Sequence, residues 1–146
     1  MLDGDANRRT GNAVRGLRFA PPTVVLEQGA ALADSARSLE LFGALAALQM
    51  QRARAALALQ RPADAATAAH VLVGLLNEGY VPDFAYTPEA WLLAAQALRA
   101  AGETGPAQAA LSAGQHWVRT QALPEVPAPF IDSFLHRNPV NRELLA

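Results

Sequence analysis

Cysteine and lysine are both absent from this 146-residue chain. Without cysteine there are no disulfides, no thiolate metal sites and no thiol catalysis. Without lysine all twelve basic residues are arginine, a bias ascribed here to a GC-rich coding sequence. The glycines form no phosphate loop, and there is no lysine to serve one, so no ATPase signature exists. The net charge of -1 provides no general attraction to polyanions, and direct nucleic-acid binding is not expected. Valine and isoleucine are few, which removes the usual material of strands. The apolar runs are interrupted by arginine and glutamine, so none reads as a membrane span. Residues Met1 to Arg18 carry polar and charged side chains where the apolar core of a signal peptide would stand. A cytoplasmic location is the expectation.

Alanine supplies 33 residues and half of the chain is hydrophobic. Alanine is the strongest helix former because it loses no side-chain entropy on ordering. One all-α domain is therefore predicted. Residues 1–22 read as a mobile arm: Asp3, Asp5, Arg8, Arg9, Arg15 and Arg18 are spread among Gly and Asn without an apolar period, and Pro21-Pro22 closes the stretch. The helical domain spans 23–146. Residues 24–59 read as one helix or two, with Gly29 and the Asp34/Ser35 pair arguing for a break. In the two-helix reading Thr23 caps a first helix to about Ala33, and a long helix covers 39–59. Gln60-Arg61-Pro62 forms a tight turn, and the next helix ends at Gly79. The first hairpin thus covers about 39–78. An aromatic loop follows, Tyr80-Val81-Pro82-Asp83-Phe84-Ala85-Tyr86. Thr87-Pro88-Glu89 then reads as a cap, a proline at the first helical position and an acid in the first turn. The second hairpin covers about 88–120, with its turn at Gly102. A prolyl connector leads to a C-terminal helical segment at 128–146, where Asn138-Pro139 starts the last turn.

Ala65 and Ala107 each follow a tight turn by a few residues, a spacing within the range of helix-hairpin repeats. In the second hairpin Trp91, Ala95, Gly102, Ala107 and Leu111 stand at the early aromatic, first small, turn, second small and large apolar positions. Small residues at 95 and 107 let two helices approach closely. On these residues the hairpin resembles a tetratricopeptide repeat. Gly114 and Leu98 depart from the pattern, where alanine and tyrosine are usual. The first hairpin agrees at Ala53, Ala56, Ala65 and Leu72, but Arg52 occupies an apolar position and Gln60 replaces the turn glycine. The resemblance implies antiparallel helix hairpins stacked as a short tetratricopeptide-like array with a C-terminal helix. The run Phe130-Ile-Asp-Ser-Phe-Leu-His-Arg-Asn-Pro-Val-Asn-Arg-Glu-Leu-Leu145 is similar to the closing segment of large multidomain bacterial ATPase-type transcriptional regulators. That similarity implies a regulatory C-terminal region or a stand-alone relative of one.

In the tetratricopeptide family ligands lie along the groove formed by the first helix of each hairpin. Carried onto this chain, that surface comprises Arg54, Glu89, Leu92, Gln96 and Arg99, with Arg54 and Arg99 placed to grip a peptide carboxylate. The expected partner is a protein or peptide, with a homodimer as a further way to cover an open end of the array. The alternative reading is a small-molecule sensor whose pocket lies near Trp91 and the aromatic loop with Tyr80, Phe84 and Tyr86. Neither reading involves catalysis, a cofactor or a metal. His70, His116 and His136 stand outside metal-binding spacings, no two acids share a close helical spacing, and Ser112 and Ser133 lack a nucleophile elbow.

Overall fold

The computed structural model describes residues 2–146, with side chains from residue 4 onward; Met1, the first residue of the expected arm, lies outside the described part. The described residues form eight α-helices and no strand. They are α1 (Leu2–Gly16), α2 (Pro22–Ser38), α3 (Phe42–Ala58), α4 (Pro62–Asn77), α5 (Thr87–Ala100), α6 (Thr104–Trp117), α7 (Ile131–His136) and α8 (Pro139–Leu144). Among the described residues no helix is long and apolar enough to cross a membrane.

The first helix corrects the expectation of an arm without structure. Its apolar stripe is sparse, yet Thr10, Val14 and the following Leu17 recur at helical spacing, and all three are buried. They pack α1 onto α2 and α3. The Gln51 side chain adds one long-range tie, its Nε2 donating to the Val14 carbonyl at 3.1 Å.

The break within 24–59 also falls elsewhere than Gly29 or Asp34/Ser35. Helix α2 runs on to Ser38, and Thr23 lies inside its first turn behind Pro22. The turn comes at Glu40, which takes the left-handed conformation at φ 57°. Gln60, Gly79 and Gly102 take it too, at φ 55°, 94° and 80°. All four turns carry the same pair of hydrogen bonds. In the last of them the Gly102 N–H donates to the Arg99 carbonyl and the Glu103 N–H to the Leu98 carbonyl; Glu40-Leu41, Gln60-Arg61 and Gly79-Tyr80 repeat the pattern. This is the Schellman closure, which satisfies carbonyls left free at a helix end. Gln60 therefore does the work of the turn glycine despite its side chain.

Helices α1, α3, α5 and α8 touch in series. Each of α2, α4 and α6 fills the space between two successive members of that series. Gly29 serves this packing rather than a break: a Cβ there would stand 3.0 Å from Cδ of Arg52, whose aliphatic stem crosses α2 at that point. The main core runs from α1 to α6 and is dominated by alanine and leucine, with Leu45, Leu48, Leu72 and Leu98 almost fully enclosed. Ala95 and Ala107 are both buried, as close helix approach requires. A second, smaller core of Leu92, Val118 and Leu144 docks the C-terminal segment. Helix α6 ends in a wider π-type turn at Val118–Ala122 before Pro124 diverts the chain.

Candidate functional site

The 80–86 loop is pinned to the start of α3. The Asp83 N–H donates to the Gly43 carbonyl at 3.1 Å. A Cβ at position 43 would run into the Asp83 carboxylate, so the glycine is what lets the loop lie this close. The carboxylate thereby sits beside the first turn of α3, where free N–H groups and the helix dipole favour an anion.

The three loop aromatics do not form one cluster. Tyr80 packs on Phe42, with ring centroids 4.7 Å apart. Phe84, at φ 55°, turns outward and is 76% exposed beneath the guanidinium of Arg15, which lies 4.7 Å from the ring centroid. Tyr86 turns the other way. Its hydroxyl donates to Oδ1 of Asn141 at 2.8 Å, and its ring meets the edge of Trp117 at 6.2 Å. Burial pushes the Tyr86 hydroxyl above its ordinary pKa of 10.0.

Between the end of α1, the inner side of α3, this loop and the first turn of α5 lies a cleft of about 350 Å³. Its lining sets apolar Val14, Ala44, Ala47, Met50 and Ala85 beside Gln51, whose buried Oε1 has no hydrogen-bond partner among the described residues. Its rim carries Arg15, Arg18, Arg54, Asp83 and Glu89, with Phe84 and Tyr86 alongside. Arg54 and Glu89 pair across the rim at 3.1 Å.

Of the groove residues carried over from the family resemblance, Arg54, Glu89, Leu92 and Gln96 line one shallow depression of about 220 Å³ against Pro139, Val140 and Glu143 of α8. Leu92 is buried under α8 within the second core. Gln96 donates to Glu143 of α8 at 3.1 Å. Arg99 is exposed at the far end of the same α5 stripe and lines neither the cleft nor this depression. The last helix is held by further polar ties: Asn138 caps it through Val140 and Asn141, Asn141 Nδ2 donates to the Phe134 carbonyl at 2.9 Å, and Gln115 donates to the Leu144 carbonyl at 2.7 Å. Gly114, the departure from alanine, fits here. A Cβ on it would lie 2.8 Å from Cβ of Trp91 and 2.9 Å from Cδ2 of Leu144.

Trp91 is thus a packing residue between α5 and α6, only 5% exposed, and the cleft does not reach it. The cleft borders the aromatic loop at Phe84 and Tyr86 and not Trp91 or Tyr80. Comparison with known protein families, curated proteins and solved structures finds no match to this chain. His70 pairs with Glu103 at 2.8 Å on an exposed surface, where the Thr67 hydroxyl is turned into the Ala63 carbonyl at 3.0 Å. His116 and His136 are exposed. Among the described residues no three His, Asp or Glu gather as a metal site would require.

Sequence reasoning missed Arg15 and Arg18 because it read them as part of an unstructured arm. The available signal was the spacing of Thr10, Val14 and Leu17, which fixes the face of α1 and so the position of the two arginines beside it. Asn141 and Gly114 were likewise invisible as site-shaping residues, since their roles depend on where α8 docks.

Proposed function

We propose that this protein is a non-catalytic interaction module, a short tetratricopeptide-like array that holds its partner on the face formed by α1, α3 and α5. The observation that carries the reading is the serial contact of α1, α3, α5 and α8, with α2, α4 and α6 set between them. Four helix ends closed by the same left-handed turn support a repeated unit. On the C-terminal resemblance we read the module as the regulatory part of a bacterial transcriptional regulator or a stand-alone relative of one. Helix α8 narrows this face at Leu92 and Gln96, and its widest opening is the cleft bounded by Arg54, Glu89 and the loop. A peptide array probed with wild type, Arg54→Glu and Arg61→Glu tests this. Arg54 lies on the cleft and Arg61 forms an exposed pair with Asp64 elsewhere. Loss of peptide binding only in Arg54→Glu is expected; equal binding by all three proteins rejects the face.

A second reading has a specific observation behind it. The cleft falls within the volume range of small-molecule pockets and sets apolar side chains beside charged and amide groups. On that reading the module is a sensor domain whose ligand sits beside the aromatic loop.

A further inference from the structure

Charge pairing around the cleft is unequal. Of its two acids, Glu89 is paired with Arg54, while the Asp83 carboxylate lies against Gly43 at the start of α3. The other two arginines, Arg15 and Arg18, form no ion pair among the described residues. Each instead stands over an aromatic ring, Arg15 over Phe84 at 4.7 Å and Arg18 over Phe19 at 5.5 Å. Stacking engages the face of a guanidinium and leaves its in-plane N–H donors free. Two uncommitted donor forks therefore flank a floor of Val14, Ala47 and Met50.

We propose that this cleft binds a small organic acid, an apolar or aromatic body carrying one carboxylate, with the carboxylate taken by Arg15 and Arg18. The proposal rests on the sensor reading and names its ligand class. The apolar body lies on Val14, Ala47 and Met50, and the carboxylate stays at the rim, where its desolvation is least costly. Bidentate hydrogen bonds from planar guanidinium groups are the natural match for such an anion. A cavity of about 350 Å³ is of the size that holds one such molecule.

The test is calorimetric titration of the full chain with naphthylacetate and decanoate, with naphthylacetamide as the uncharged isostere. The same titrations are run on Arg15→Gln, Arg18→Gln and the control Arg61→Gln. Saturable binding of an acid is expected, weakened at least about tenfold by amidation and by either cleft substitution, and unchanged in Arg61→Gln. Circular dichroism confirms that each variant is folded. Equal binding of acid and amide overturns the anion assignment but leaves a small-molecule cleft standing. Absence of binding by both acid and amide overturns the sensor reading as well. Binding only of peptides with a free C-terminal carboxylate overturns the small-ligand proposal and returns the site to the interaction reading. Acid binding that persists in both cleft variants places the anion elsewhere and also overturns it.

Discussion

Replacing Gly114 and Gly74 by alanine makes the same chemical change in two helices and should give opposite results. At Gly74 in α4 a new Cβ meets nothing within 4 Å. Alanine there should stabilise the protein by up to about 1 kcal/mol, the usual difference in helix propensity. At Gly114 the new Cβ would lie 2.8 Å from Trp91 Cβ and 2.9 Å from Leu144 Cδ2. The leucine methyl can swing aside, but Trp91 Cβ moves only with the backbone of α5. Overpacking of this kind costs about 1–3 kcal/mol, and the rigid neighbour puts this case in the upper half of that range. After the propensity gain is subtracted, Gly114→Ala should be destabilising by about 1–2 kcal/mol. Urea unfolding reads both variants, and an unchanged slope with a midpoint lowered by about half to one molar is the expected result for Gly114→Ala. Adding Leu144→Ala should make the pair non-additive, because that side chain is one of the two atoms in the way. A Gly114→Ala midpoint raised as much as that of Gly74→Ala would refute both the close α5–α6 approach and the seat of Leu144.

The turns offer a complementary set. Glu40→Gly and Gln60→Gly should each stabilise by about 1 kcal/mol in denaturant titrations by removing left-handed strain, and Gly102→Ala should cost a similar amount. Tyr86→Phe leaves the buried Oδ1 of Asn141 without its donor and should cost about 1–3 kcal/mol, visible as early loss of the C-terminal segment in hydrogen exchange. Burial holds the Tyr86 proton more tightly in the folded chain, so the unfolded chain ionises first. The stability Tyr86 contributes is therefore complete below about pH 10 and lost as pH rises through its higher folded value. Absorbance titration in a Tyr80→Phe background should show a phenolate appearing above the ordinary range. Gln51→Leu should raise exchange in α1 while leaving α4 and α6 unchanged, since its amide is the side-chain tie between α1 and α3.

Where the sequence was legible, a residue announced its own role. Gly79 and Gly102 end helices, Pro62 and Pro88 begin them, and the alanines at 95 and 107 mark a close helix pair. Where it was not, the role depended on a distant partner or on an atypical residue in a familiar place. Glu40 closes α2 in the conformation that glycine usually supplies, so nothing local marked it as a turn. Gly29 read as a breaker, but the approach of Arg52 explains it. The surroundings of the carried-over groove were not legible for a similar reason: Arg54 and Glu89 border the cleft, while α8 packs against Leu92 and Gln96. The aromatic loop was visible as a run of side chains, but their three separate directions follow from the hydrogen bond at Gly43, the left-handed Phe84 and the distant Asn141.

Site-specific photo-crosslinking in the native cells tests the central claim, that the α1–α3–α5 face is where this module engages its partner, most directly. A benzophenone amino acid replaces Phe84 at the cleft in one strain and Gly74 on α4 in another. The account predicts one discrete adduct from position 84, abolished by Arg54→Glu, and none from position 74. Matching adducts from both positions, or an adduct from position 74 alone, would contradict it.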